Sequence, residues 1–390
     1  MKLVMLCPYF YPEATAAAVR ATHFAKFFAM EGIEVQVITP KTNRITPEKD
    51  FQGLEIDQVE SYDSMRETHG FIWSAFHFLQ SIKKIRRKLK ETRPDIVMTT
   101  TPSPFFAYQG HLACKKLKIP VVFDVRDTWL LQSVTHKGRI SNYIKGKIEG
   151  QCCWGAKKIL IVTRMLGDQL LESHKLPQNK LFLAPNGADL ETFSMKKEPD
   201  VDIIILGAPS IYRNFEAVFQ SLSYLIKIRP STTIRYIGWT DNPYTNKLKT
   251  LIQNFGILNQ VELTPPIPHS EVPQALSKAR VGLISFTKNK SLYSAVGAKT
   301  YEYMAAGLPL ACFGPLVDCE LKRLINETNA GIYESEPIPF AKRLKELLEN
   351  SSLLKSFAEK SKNSAMKYDR KQIAKQVYQD VFLPIQEGKI

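Results

Sequence analysis

The sequence predicts an α/β chain of two units, each built on a parallel sheet, and three observations carry that prediction. Apolar runs of strand length alternate with helical patterns from the first residues onward. This rhythm breaks after Phe193, in the charged stretch SMKKEPDVD, and then restarts. With 390 residues the chain is also longer than one ordinary domain, since length over ~150 suggests two to three. Apolar strands separated by helices form parallel sheets covered on both faces.

In chain order, residues 2–7 (KLVMLC) read as a short strand running into a Pro- and aromatic-rich turn, PYFYPE. A helical pattern follows from Ala16 to Glu31, and Glu34–Thr39 (EVQVIT) alternates as a strand. The pattern repeats at Asp95–Thr99, through a helix to Leu117, and again at Pro120–Asp124 and Lys158–Val162. Beyond the charged stretch, strands are expected at Ile203–Leu206, Thr233–Ile237, Gln260–Leu263, Val281–Ile284 and Leu310–Phe313. The unit boundary accordingly falls between 193 and 194. Ligands of open α/β sheets bind at the carboxyl ends of strands, so two such units facing each other predict a site in the cleft between them.

Composition narrows the function classes. Hydrophobic residues at 44% and charged residues at 23% are ordinary for a globular protein. No run approaches ~18 apolar residues, and Pro8 interrupts the apolar start, so neither a membrane-spanning helix nor a signal peptide is expected. A cytoplasmic location follows as an expectation. Cys7, Cys114, Cys152, Cys153, Cys312 and Cys319 lack the paired spacing of a zinc site and read as reduced, buried thiols. The seven histidines show no metal-binding spacing.

A net charge of +15 calls for an anionic partner. Its clearest cluster is Ser81–Lys90, SIKKIRRKLK, preceded by Ile72, Trp73, Ala75, Phe76, Phe78 and Leu79. A basic, aromatic, amphipathic helix over 72–90 suits an anionic membrane surface. An ordinary surface helix packed by its apolar stripe is the equal alternative. No nucleic-acid-binding signature accompanies the charge, so nucleic acid is not expected as a partner.

The most informative segment is Tyr293–Pro309, YSAVGAKTYEYMAAGLP. Small residues at Ser294, Ala295, Gly297 and Ala298 let a ligand approach the backbone closely. A helix opening near Lys299 and Thr300 would aim its free N–H groups at a phosphate. Glu302, one turn in, can accept two hydrogen bonds from a vicinal diol, or simply face solvent. The helix stops at Gly307, with Pro309 beyond. Elsewhere, Arg126 and Asp127 follow the apolar strand PVVFD, where an α/β unit presents reactive side chains; a structural Asp–Arg or cap interaction is the alternative. Gly207 and Arg213 follow the first strand of the second unit, where backbone and guanidinium can meet a diphosphate. Arg20, early on the first helix, can meet an anion or be solvated.

Taken together, YFYPE with Arg20, RPDIV (93–97), VRDTW (125–129), APNGAD (184–189) with Phe193, and KTYEYMAAGLP (299–309) resemble the GT-B glycosyltransferases of family 4 over nearly the whole chain. The resemblance implies two facing Rossmann-like domains and transfer, with retention, of a hexosyl or N-acetylhexosaminyl group from a nucleotide-diphosphate donor. A glycan or lipid-linked acceptor in surface-polysaccharide synthesis would receive it. It implies Glu302 on the donor ribose, Gly207, Ser294, Gly297, Lys299 and Thr300 around the diphosphate and sugar, and Arg213 on the phosphates. The acceptor would lie near Glu13, Ala16, Ala17, Arg20, Arg126 and Asp127. It implies no cofactor and no metal, and a final segment, 370–390, that returns to the first domain. Three departures stand out: Ser294 replaces the family's first Glu, no Lys follows Arg213 although Lys288, Lys290 or Lys299 can substitute, and VRD replaces a common His. They leave a catalytically idle sugar-nucleotide-binding homologue, or a scaffold of a glycan-assembly complex, as the alternative.

Overall fold

The computed structural model describes residues 1–13, 15–41, 50–51, 53–59, 71–129, 139–240 and 243–390, and within these not the side chains of 50–51, 71–76 and 139–142. Ala14, His69, His136 and the side chains of Ile72, Trp73, Ala75 and Phe76 therefore lie outside the described residues. The chain divides into two compact units, Met1–Pro185 with Lys371–Ile390, and Asn186–Arg370.

In the first unit, β1 (Lys2–Leu6), β2 (Glu34–Pro40), β3 (Asp50–Phe51), β4 (Leu54–Val59), β5 (Ile96–Thr100), β6 (Val121–Val125), β7 (Lys158–Ile161) and β8 (Leu181–Leu183) form one sheet. Its order is β3-β4-β2-β1-β5-β6-β7-β8, and β3 alone runs antiparallel to its neighbour. The connecting helices are α1 (Ala16–Met30), α2 (Phe71–Thr92), α3 (Pro104–Leu117), α4 (Arg139–Gly155) and α5 (Arg164–His174). Their starts follow local chemistry: Thr15, Ser103 and Thr163 each accept the backbone N–H three residues on. In β2, Val35–Pro40 are buried on both faces despite their alternation, as a covered parallel sheet requires. Helices cover both sides of a parallel sheet, and the one amide this traps, Gln36, donates to Asp57 and accepts from Thr92.

In the second unit, β9 (Val201–Leu206), β10 (Ile234–Ile237), β11 (Val261–Thr264), β12 (Ala279–Ser285), β13 (Leu310–Phe313) and β14 (Gly331–Glu334) form a fully parallel sheet in the order β11-β10-β9-β12-β13-β14. Helices α6 (Phe215–Ile228), α7 (Pro243–Asn254), α8 (Val272–Ser277), α9 (Ala298–Ala305), α10 (Glu320–Thr328), α11 (Pro337–Glu349) and α12 (Ser351–Ala365) connect and cover it. α9 sits unusually close to the sheet. A Cβ on Gly282 of β12 would lie 2.4 Å from the Tyr303 ring, and the Tyr303 hydroxyl accepts a hydrogen bond from Leu206 N at 2.9 Å. Two strands are thus tied to the helix that carries Lys299 and Glu302.

The change of unit comes at Pro185–Asn186, ahead of the charged stretch. Residues 186–193 belong to the second unit because Ala188 N donates to Tyr368 O and Arg370 N to Ala188 O, and because Phe193 is buried with Leu276 and Met304. The chain ends in α13 (Arg370–Val377) and α14 (Leu383–Gln386). Val377, Val381, Phe382 and Ile385 enter the first unit's core beside Phe24 and Phe28, with the Phe28 and Phe382 rings 5.0 Å apart. All six cysteines are buried free thiols.

Candidate functional site

In the second unit, the candidate residues gather at the carboxyl end of β9. Gly207 ends that strand with φ +97°, a conformation open to glycine. A Cβ there would lie 2.4 Å from Lys299 Nζ and 3.2 Å from Arg213 Nη2, so both cations stand over the Gly207 backbone. Arg213 Nη1 donates to Leu206 O at 2.8 Å, and its guanidinium lies 5.8 Å from the Phe215 ring centroid. Neither Arg213 nor Lys299 has a carboxylate within ion-pair distance among the described residues, and the Lys299 ammonium makes no hydrogen bond there. Burial, reinforced by Arg213 and opposed by Glu302, pushes the Lys299 pKa down to about 8. Two adjacent cations without anions are costly to hold together and describe a place for a doubly charged ligand.

Gly297 is the N-cap of α9 and offers no side-chain cap. The nearest atom to a Cβ on it would be Phe286 Cζ at 4.0 Å, so the space beside it is open. Thr300 N turns back to Gly297 O, while the amides of Ala298 and Lys299, in the first turn, are left without an acceptor among the described residues, as is the fully buried Thr300 Oγ1. Ser294, in the preceding turn, is buried.

Glu302 does not face solvent: it is 5% exposed. Its Oε1 lies 3.0 Å from His269 Nε2 and 3.6 Å from an Arg370 nitrogen. Burial would raise its pKa, but the His269 hydrogen bond and the charges of Arg370, His269 and Lys299 outweigh it and hold the carboxyl below the usual range. It is therefore ionised at neutral pH. The sequence reading passed over His269 and Arg370. Their only signal was a His and an Arg on segments 33 residues before and 68 after Glu302 in the chain, which no spacing rule connects.

In the first unit, Arg126 and Asp127 follow β6 as expected. Arg126 N donates to Thr101 Oγ1 at 2.9 Å, while its Nε is buried without a partner among the described residues. Burial and the neighbouring Arg20 push the Arg126 pKa down. Burial pushes the Asp127 pKa up, with Arg126 opposing. The Asp127 carboxyl has no hydrogen bond or ion pair among the described residues, so the structural Asp–Arg pairing considered for these two is not formed. The turn is anchored from behind: Glu149, fully buried, accepts Trp129 N at 2.7 Å and meets His174 Nε2 at 2.9 Å.

Arg20 departs from the expectation of an exposed or anion-facing side chain. It is 4% exposed, its Nε and Nη2 bind the Asp124 carboxylate at 2.8–3.2 Å, and it donates to Ala184 O and Pro185 O. Its Nε, both hydrogens of Nη2 and one of Nη1 are thus engaged inside the fold. Glu13 N donates to Phe10 O in the turn before α1, Ala16 is exposed and Ala17 is buried.

On α2, Ile82, Ile85 and Leu89 are buried, with Ile85 and Leu89 in a core cluster with Val97 and Phe106. That stretch of the stripe is core and not a free apolar face. Lys83, Arg87 and Lys90 are exposed on the other side, with Leu79 61% exposed. Among the described residues no helix is long and apolar enough to cross a membrane, and no cluster of three potential metal ligands occurs.

Two family models match the chain, "Glycosyltransferase Family 4" over residues 17–192 and "Glycosyl transferases group 1" over residues 190–364. No curated protein sequence matches it. Solved structures match it closely in fold at low identity. Sucrose-phosphate synthase from Thermosynechococcus elongatus has a TM-score of 0.75 at 13% identity, covering 98% of this chain and 99% of that one. Anabaena HepE in complex with UDP has a TM-score of 0.73 at 14% identity, covering 98% and 100%. S. aureus TarM in complex with fondaparinux, α-GlcNAc-glycerol and UDP has a TM-score of 0.71 at 9% identity, covering 99% of each. With two Rossmann-like units in place and the two models together spanning residues 17–364, the chain belongs to the GT-B glycosyltransferases of family 4 and group 1.

Proposed function

We propose that this glycosyltransferase moves a hexosyl or N-acetylhexosaminyl group, with retention and without a metal, from a nucleoside-diphosphate sugar to a glycan or lipid-linked acceptor of a cell-surface polysaccharide. The observation that carries the donor half is the unpaired Lys299–Arg213 couple over Gly207. Lys299 occupies the role left open by the absence of a Lys after Arg213. The diphosphate lies against these two cations and the free amides of α9, and Glu302 takes the ribose. That HepE and TarM were each solved with UDP supports a nucleotide donor of this kind.

During transfer the bond from the sugar's anomeric carbon to the phosphate oxygen breaks. The acceptor oxygen bonds to the same face of that carbon, and its proton passes to the departing phosphate. Arg213 and Lys299 offset the charge that develops there, as a metal would, so the reaction is expected to survive excess chelator. Asp127, without a partner among the described residues and with a raised pKa, orients the acceptor hydroxyl, and Arg126 carries its share of the anionic charge.

The test is a thermal-shift screen with UDP-, GDP- and dTDP-sugars, followed by transfer assays on the sugar that binds. A ligand at 100 times its dissociation constant adds about 2.7 kcal/mol of stability. Asp127→Asn should lower transfer by roughly 10²-fold, within the range of general acid–base contributions, with donor affinity unchanged. Binding without transfer to any acceptor would identify an idle homologue instead, and indifference to every sugar nucleotide would sink the reading.

We also place the protein in the cytoplasm, docked on the inner face of an anionic membrane. α2 packs along α3 and α3 along α4, a layer with an exposed basic surface at Lys83, Arg87, Lys115, Lys116 and Lys147. Among these stand Tyr143 and Trp154, more than half exposed. Each basic residue near such a surface is worth about 1 kcal/mol, so Lys83→Glu with Arg87→Glu should weaken co-sedimentation with phosphatidylserine vesicles by at least roughly 20-fold. Unaltered, salt-independent sedimentation would exclude this surface.

A further inference from the structure

We propose that His269 is a positioning residue for donor binding: with Arg370 it locks one oxygen of Glu302, so that the other is presented to the ribose diol. The proposal rests on the reading of Glu302 as the ribose contact. Both anchors come closest to Oε1, His269 Nε2 at 3.0 Å and Arg370 at 3.6 Å, while Oε2 has no hydrogen bond among the described residues. A glutamate has three side-chain torsions to immobilise before it can hold a ligand, and a pre-formed arrangement removes that cost from binding. Arg370 is itself held, its Nε donating to Asn186 O at 3.4 Å, and its side chain is 7% exposed.

His269 is different. Its side chain is 43% exposed, on a single turn between β11 and α8, and among the described residues its one ring neighbour is Phe193, edge-on at 6.2 Å. A residue so placed contributes little to the core, so its hydrogen bond to a buried, ionised carboxylate reads as service to that carboxylate. With the proton on Nε2, the ring donates to Oε1 and leaves Oε2 as the carboxylate oxygen without a hydrogen bond among the described residues.

The readout is discrimination between ribose and 2′-deoxyribose, which a role in the fold alone would not move. By titration calorimetry, the wild type should bind UDP at least about ten-fold more tightly than 2′-deoxy-UDP, the value of one charge-assisted hydrogen bond. If the donor screen selects guanine, GDP and its 2′-deoxy analogue take their place. In His269→Ala the preference should fall below about three-fold, and His269→Gln, whose amide reaches the same position, should recover most of it. If His269→Ala keeps the wild-type preference while Glu302→Gln loses it, His269 does not position Glu302. If Glu302→Gln also keeps the preference, or the wild type has none, the ribose reading itself fails and the proposal falls with it.

Discussion

Replacing Lys299 with Met is expected to weaken donor binding roughly 10- to 100-fold and, at neutral pH, to stabilise the unliganded protein. The first effect follows from removing one charged partner of the diphosphate, about 1.5–3 kcal/mol. The second follows from the cost of holding an ammonium in a buried place beside Arg213, which brings its pKa from the ordinary 10.5 to about 8. Each unit of such a shift is ~1.4 kcal/mol, so the relief is on the order of 3–4 kcal/mol. Below pH 8 folded and unfolded chains both hold the proton, and the penalty is present in full. Between pH 8 and 10.5 the unfolded chain holds more protons than the folded one, so wild-type stability gains on the variant as pH rises. The advantage of Lys299→Met should therefore be greatest at pH 7 and shrink above pH 8. Wild-type donor affinity should fall over the same rise, as the ammonium loses its charge, while the variant's stays flatter. Thermal melts and calorimetry from pH 7 to 9.5 check both. A wild-type affinity that does not change across that range would place Lys299 away from the phosphates. Function held at the expense of stability is common where a site stores unpaired charge.

Arg20→Ala should be the most destabilising single change in the first unit, by about 3–5 kcal/mol, because it leaves the buried Asp124 carboxylate and two carbonyls without their donor. The guanidinium's contact with Phe24, 4.6 Å from the ring centroid, is lost as well. For a unit of this size that corresponds to a fall in melting temperature on the order of 10 °C. The double replacement Arg20→Met with Asp124→Leu should recover most of the loss, since no buried charge is then left alone. The surviving protein should still bind its donor, whose proposed contacts, Arg213, Lys299 and Glu302, lie in the second unit. A loss below about 1 kcal/mol in denaturant melts of Arg20→Ala would contradict the pairing.

How far the sequence could be read depended on the range of the interactions. The strands at 2–6, 96–100, 121–125 and 203–206 were legible because a strand buried on both faces must be apolar throughout. The end of α9 was legible because Gly307, at φ +64°, is a local requirement of helix termination. Glu302 and Lys299 were legible as a motif, and Lys299 as one of three lysines able to pair with Arg213. Arg20 was misjudged, since a basic residue on an amphipathic helix looks the same in sequence whether it faces water or a carboxylate 104 residues away. Ser294 shows the converse: its departure from the family pattern was plain, and its burial was not.

Alternating apolar runs, small residues before a helix and the types of charge available were determined by the sequence itself, because each is a local property of a few neighbouring residues. Which of those charges are spent and which remain free was decided only by the tertiary structure. Arg20 is closed off by Asp124, Glu302 is half engaged by His269 and Arg370, and Lys299 with Arg213 is left without an anion. Ion pairing and desolvation act between segments far apart in the chain, so only the folded arrangement sets which groups can still reach a ligand.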